Sequence, residues 1–236
     1  MKLFRVVLCI LSAAGAGSCF AADPPAPNRL SPAETDSGCK LLFDGTSLKG
    51  WHTFGKSTLP AKGWEAVDGW LHCARRANAG DIVTEQKFDQ FELSWEWKIA
   101  AGGNSGLKYF VTSDRASALG HEYQMYDDPG SKDQPPGKHE TASFYDVLAP
   151  SVKPPVRPPG EINASRVVIK DNHVEHWLNG VKVLEYECAS DKVKAAVAAS
   201  KFKSTPGFGS RLKGHILLQD HGSEVWFRNI KVRELR

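Results

Sequence analysis

"RVVIKDNHVEHWLNGVKVLEYE", residues 166–187, sets the architecture of this chain. Apolar and polar residues alternate along it with a period of two, the spacing at which successive side chains reach opposite faces of a strand. Asp171–Asn172 closes a first hairpin. Asn179–Gly180, a pair that tolerates positive φ at both central turn positions, closes a second. Three consecutive antiparallel strands follow from this one stretch. In the middle strand His173, Glu175 and Trp177 share one face, and Val174, His176 and Leu178 share the other. His176 therefore reads either as a satisfied core residue or as part of a concave binding face.

The same rhythm runs outward in both directions, through "WEAVDGWLHC", "DIVTEQ", "FELSWEWKIA", "SGLKYFVT", "HEYQMYD" and "GHILLQD". In the last run, "VWFRNIKVREL", Val225, Phe227, Ile230 and Val232 stand against Arg228, Asn229, Lys231 and Arg233. Many short strands joined by tight turns predict an all-β antiparallel sandwich or jelly roll. "DKVKAAVAASKF", 191–202, is the one good helical segment, with Val193, Val197 and Phe202 toward one face. Seven Trp and eleven Phe supply a sizeable core, and residues 39–236 read as one domain.

Lys2 and Arg5 precede an apolar run, Val6–Ile10, that fades into small residues ending at Ala21–Ala22. This pattern predicts a signal peptide over 1–22 and an exported protein, periplasmic or secreted. "AGSC", ending at Cys19, leaves a lipid anchor open as the alternative. Residues 23–38 read as a flexible Pro-rich leader. No later stretch reaches the roughly 18 apolar residues of a spanning helix. A net charge of +3 without a dense Lys/Arg cluster argues against a nucleic-acid partner. Beyond the signal region Cys39, Cys73 and Cys188 remain, which predicts one disulfide and one spare thiol.

Three stretches carry chemistry. "GHEYQMYDD", 120–128, places Glu122, Gln124 and Tyr126 on one face and Tyr123 and Met125 on the other. A carboxylate, an amide and a phenol together suit a sugar; a solvated outer face would also read this way. "NSGLKYF" sets Asn104 and Ser105 before a Gly, with Lys108 and Phe110 alternating with Leu107 and Tyr109; a turn entering a strand also explains it. Gln219, Asp220 and His221 end a strand before Gly222, where Asp beside His either orients an imidazole, coordinates a cation or simply stabilises a turn. The Pro-rich stretch 127–161 is an unusually long irregular segment. Phe144, Tyr145, Val147 and Leu148 can anchor it, so it reads as an ordered loop covering a site, with a linker as the alternative.

In order, "LFDGTSLKGW", "NSGLKYF", "EYQMYDD", "SFYDVLAP", "NHVEHWLNGVKVLEYE" and "HILLQDHGSEVWFRNIKVREL" resemble the 3-keto-disaccharide hydrolase domain family over residues 40–235. The resemblance implies a concanavalin A-like lectin/glucanase fold, a jelly roll of two curved sheets with a carbohydrate cleft. It also implies cleavage of 3-keto-glycosides. Carried over residue by residue, it marks Glu122, Gln124, Asp128, Tyr145, Asp146, His176, Asp220 and His221. Two departures stand out: Ser223–Glu224 after the LQDHG triplet, and Ile162 where a Trp is expected.

A C3 ketone acidifies the proton on C2, so a positioned base can remove it and the C1–oxygen bond then breaks by β-elimination. Hydration can follow. The catalytic set expected on this chemistry is His176, His221, Glu122 and Asp220; Asn104, Gln124, Asp128, Tyr145, Asp146 and Gln219 are expected to bind substrate. The enolate needs hydrogen-bond donors or a divalent metal ion. The partner is an oxidised di- or oligosaccharide. The rival reading is a non-catalytic carbohydrate-binding module on the same fold.

Overall fold

Among the residues described, 26–115, 117–128 and 137–236, the computed structural model places thirteen strands and two helices. The signal-peptide stretch 1–22 and residues 129–136 of the Pro-rich loop lie outside the described residues. Helix α1 (Pro32–Asp36) precedes β1 (Lys40–Leu41), β2 (Trp51–Thr53), β3 (Trp64–Val67), β4 (Trp70–Cys73) and β5 (Ile82–Thr84). Then come β6 (Phe91–Ile99), β7 (Asn104–Val111), β8 (His121–Tyr126) and the meander β9 (Asn163–Lys170), β10 (His173–Leu178) and β11 (Val181–Glu187). Helix α2 (Asp191–Ala198), β12 (His215–Leu218) and β13 (Val225–Glu234) complete the order.

One sheet runs β11-β10-β9-β6-β13-β4-β3 with β1 added on β13, and the other runs β2-β5-β12-β7-β8. Packed face to face they form the expected jelly-roll sandwich. The alternation of β6 shows why: Phe91, Leu93, Trp95, Trp97 and Ile99 are buried between the sheets, while Glu92 and Glu96 face outward and pair with Arg166, Arg233 and Arg228 on neighbouring strands. The Asn179–Gly180 turn has positive φ at both residues (47° and 84°), as that pair permits. Asn229 at φ 50° sits in a bulge between Arg228 and Lys231. The bulge places two polar residues in series without turning Ile230 and Val232 out of the core.

Three expectations are corrected. The leader is not loose up to residue 38: Asn28 is buried, its N–H donates to Asn229 Oδ1 (2.6 Å), and its own Oδ1 accepts the Asn229 N–H (2.9 Å). Ser31 and Glu34 then form a capping box on α1. Local side-chain capping orders a stretch whose composition reads as linker. The helix is shorter than its pattern, ending at Ala198, and Phe202 lies beyond it, stacked on Phe208 at 4.1 Å.

The third correction concerns the disulfide: Cys39, Cys73 and Cys188 are all free thiols. Cys73 pairs with Val225 of β13, whereas Lys40, next to Cys39, pairs with Val232, roughly 23 Å further along the same strand at strand rise. Cys188 follows β11, five strand spacings from β4, or about 24 Å. A disulfide needs Cα atoms within about 7 Å.

The described end of the long loop pairs with the free edge of β8. The Ala142 N–H donates to the Gln124 carbonyl (2.8 Å) and the Tyr145 N–H to the Glu122 carbonyl (3.0 Å). This covers the sheet edge and raises a wall beside its outer face.

Candidate active site

Across the β7–β8 ladder Lys108 stands opposite Glu122 and Gly106 opposite Gln124. Gln219, just past β12, donates its backbone N–H to the Gly106 carbonyl (3.0 Å). These three adjacent strands form the floor of a cavity of about 110 Å³ on the outer face of the five-stranded sheet. Its walls come from distant parts of the chain: Tyr145 from the loop on β8, Lys201 from the turn after α2, and His221 from the turn before β13. His221 also borders a wider depression of about 510 Å³ with Asn78, Gly80, Asp220 and Gly222, so the cavity opens into a groove.

Gly106 makes room in the floor. A Cβ at this position would lie 2.7 Å from Glu122 Oε1 and 3.1 Å from its Cγ, so only glycine lets the carboxyl lie flat against the sheet. Just beyond Lys108 the strand bulges. Lys108 and Val111 face Leu217 and His215, three residue steps against two, and Phe110 takes φ 60°. The bulge ends the polar face at Lys108.

Glu122 is buried, and burial lifts its carboxyl above the ordinary carboxylate range against the opposing pull of Lys108, Lys201 and His221. Lys108 Nζ lies 3.6 Å from Glu122 Oε2 and donates to the Ala118 carbonyl at 3.4 Å. Asp81, immediately before β5, joins the cluster. Its carboxyl is raised by burial, lowered by Lys108 and the Asp220 N–H (3.0 Å to Oδ1), and sensitive to His221. Gln219 Oε1 is buried with no hydrogen-bond partner among the described residues. A buried acceptor without a donor is costly, and a ligand hydroxyl in the cavity is a donor of the right kind.

The expected site residues divide. Asn104, Glu122, Gln124, Tyr145, Gln219 and His221 line the one cavity. His176 does not. It is fully buried between the sheets, behind the floor, where Nδ1 donates to the Ala142 carbonyl (2.9 Å) and Nε2 accepts from the Tyr109 hydroxyl (2.7 Å). Burial pushes its imidazole down to about 4. The alternation put His176 with Val174 and Leu178 correctly; that face is the core, and the expected catalytic role is corrected.

Asp220 also changes role. Its Oδ2 accepts the Ala79 and Gly80 N–H groups (2.7 and 3.2 Å) and its Oδ1 the Gly222 N–H (3.0 Å), so it fixes the turn that carries His221. Asp128 accepts the Thr141 N–H at both oxygens (3.0 and 3.2 Å) and anchors the loop; burial pushes it up to about 6. Asp146 accepts from Lys138 Nζ and His139 Nε2, and its Oδ2 accepts the Lys201 N–H at 2.7 Å. Asp128 thus holds the loop and Asp146 the Lys201 backbone, and neither lines the cavity. Among the described residues, one trio has ligand atoms close enough to hold a metal: His173, Glu175 and Glu185, on β10 and β11 away from the cavity. Lys182 ion-pairs with both glutamates there.

The sequence model of the 3-keto-alpha-glucoside-1,2-lyase-like domain matches residues 38–233. The chain belongs to this family. A curated protein of Bacteroides thetaiotaomicron described as a 3-keto-disaccharide hydrolase is 34% identical, over 86% of this chain and 80% of its own length. A crystal structure of a Parabacteroides distasonis protein, provisionally described as a glycosyl hydrolase, is 35% identical with a TM-score of 0.79, covering 89% of this chain and 100% of that one. A second structure with the same description and organism is 28% identical with a TM-score of 0.63, over 78% and 99%.

In this lyase-like domain the residues that sequence reasoning passed over are Asp81, Lys108 and Lys201. Lys108 carried a signal: on "NSGLKYF" it alternates with Leu107 and Tyr109, which places it on the outer face. Asp81 and Lys201 carried none, since only the tertiary fold brings the start of β5 and the turn after α2 to this sheet.

Proposed function

We propose that the protein is an exported carbohydrate-active enzyme that cleaves 3-keto-glycosides by removing the C2 proton and expelling the C1 substituent. The observation that carries this reading is the placement of His221 and buried Glu122 in one cavity with Lys108 beside the carboxyl. Elimination from a keto-sugar needs a base for C2–H, positive charge near the C3 oxygen and an acid for the leaving oxygen. His221 is the base. Lys108 supplies the fixed charge. Glu122, raised by burial, holds the proton that the leaving oxygen takes. Asn104, Gln124 and Gln219 offer amides to the ring hydroxyls, and the groove past His221 takes the leaving sugar. Water adding to the unsaturated product would make the net reaction a hydrolysis.

A sugar-binding module needs stacking and hydroxyl contacts, but gains nothing from a buried carboxyl set against two lysines. The 1–22 stretch supports export, while the cavity chemistry is independent of it. Incubation with a 3-keto-disaccharide and with its unoxidised parent tests the reading. Release of the leaving sugar from the ketone alone is expected. Equal release from both would replace elimination by ordinary hydrolysis, and binding without release would make the domain a lectin.

A further inference from the structure

Two lysines reach the cavity, and their surroundings differ. Lys108 is engaged, with Glu122 Oε2 at 3.6 Å and the Ala118 carbonyl at 3.4 Å, and its side chain is only 11% exposed. Lys201 has its backbone fixed and its amine uncommitted. Its N–H is held by Asp146 Oδ2 at 2.7 Å, and the preceding Ser200 is buried and donates to the Val197 carbonyl (2.8 Å). Its Nζ lies 4.2 Å over the Tyr145 ring and 5.1 Å from the Phe202 ring, with no ion pair or hydrogen bond among the described residues. A positive-φ residue, Asp146 at 60°, therefore anchors the backbone of the cavity lysine whose amine makes no ion pair among the described residues.

We propose that Lys201 is a nucleophile that joins the C3 ketone of the substrate through Nζ as an imine before the C2 proton is lost. The inference rests on the keto-glycoside reading above, because it needs a carbonyl in the cavity. Partial desolvation holds the Lys201 amine below the usual lysine range, with Lys108 acting in the same direction against Glu122 and Asp146. That is the environment in which a lysine becomes a carbonyl nucleophile.

The step balances. Nζ adds to C3, and the carbinolamine takes one proton and loses water, leaving an iminium. His221 takes the C2 proton, and the C–H electron pair forms the C2=C3 bond of a neutral enamine. The nitrogen pair then re-forms C3=N as C1=C2 forms and the C1–oxygen bond breaks, its electrons going to the leaving oxygen, which takes a proton from Glu122. Water hydrolyses the unsaturated iminium, returning an oxygen to C3, the free amine to Lys201 and the proton taken up at the start. The iminium is a stronger electron sink than the ketone, and Lys108 remains the fixed cation beside it.

The test is reductive trapping of the full protein turning over a 3-keto-disaccharide in the presence of sodium cyanoborohydride. The expected result is a stable sugar adduct by intact mass, mapped to Lys201 by peptide sequencing. Solvent ¹⁸O should enter the C3 carbonyl of the product as well. Lys201→Arg keeps the charge but cannot form the imine, so it should lose on the order of 100-fold or more in turnover, and Lys201→Ala should lose as much. Cleavage without an adduct, an adduct on Lys108, or near-normal turnover by Lys201→Arg would each overturn the nucleophile while leaving keto-glycoside cleavage standing. Failure of the wild type to cleave the ketone at all would overturn both.

Discussion

Lys108 Nζ stands 3.6 Å from the Glu122 carboxyl at paired positions of β7 and β8, with side chains 11% and 8% exposed. A pair this dry gives modest stability, because desolvation opposes the Coulombic gain. Its consequence is functional. Burial raises the Glu122 carboxyl, Lys108 is the largest influence in the opposite direction, and the balance sets how readily the carboxyl gives up a proton.

Lys108→Met should therefore raise the Glu122 carboxyl further. If Glu122 must be protonated for the leaving oxygen, the alkaline limb of kcat/KM moves to higher pH in this variant while the maximum falls. A pH–rate profile on the 3-keto-disaccharide measures both. A limb that moves to lower pH, or does not move, would remove Glu122 as the acid.

Gly106→Ala tests the floor of the cavity. The added Cβ meets Glu122 Oε1 at 2.7 Å, so the carboxyl must swing out of its place or the strands must part. The first outcome is expected, with turnover down by at least about 10-fold, since displacing a reacting group by 1 Å can cost 10²-fold. Stability should fall by about 1–3 kcal/mol, the usual cost of overpacking. Urea denaturation and steady-state kinetics on the same preparation separate the two.

How much of this was readable beforehand follows from the physics of each element. Period-two alternation in "EYQMYDD" put Glu122 and Gln124 on one face and Tyr123 and Met125 on the other, and the structure keeps that division. Alternation says which residues share a face, but not whether that face meets sugar or the opposite sheet, and His176 fell on the core side for that reason. Asp220 beside His221 looked like a catalytic pair; its oxygens are held by two backbone N–H groups from a loop some 140 residues earlier in sequence and by the N–H of Gly222 in its own turn. Asp81 reaches the site through strand order and Lys201 through the packing of the turn after α2, neither of which a local pattern encodes.

The two imidazoles should separate cleanly on mutation. His221 is exposed at the cavity rim, so His221→Ala should leave the melting temperature nearly unchanged and reduce turnover about 10²- to 10⁴-fold. His176→Ala opens a buried void and strips partners from Tyr109 and Ala142, a loss of about 2–4 kcal/mol. Calorimetry with kinetics on both variants decides. An active, folded His221→Ala would return that residue to a turn.

Behind the cavity floor, one proton chain ties two buried histidines together. His176 Nδ1 donates to the Ala142 carbonyl, so Nε2 accepts from Tyr109 (2.7 Å). Tyr109 accepts from Tyr186 (2.7 Å), and Tyr186 accepts from His121 Nδ1 (2.9 Å). Both imidazoles are neutral in this chain, and burial pushes His121 down to about 3 and His176 to about 4. The unfolded chain protonates them near 6.5, so this contribution to stability is full above that pH and is lost as the pH falls toward the folded values. Each histidine supplies a slope of about 1.4 kcal/mol per pH unit in that window. Asp128, raised to about 6, and the raised Glu122 and Asp81 carboxyls take up protons in the folded state and act in the opposite sense. A comparison with His121→Gln cancels those carboxyls. Between pH 6.5 and 5, wild type should lose about 2 kcal/mol more than the variant by urea denaturation. Equal losses would mean that His121 accepts its proton in the folded state at no cost, and that the chain does not hold it neutral.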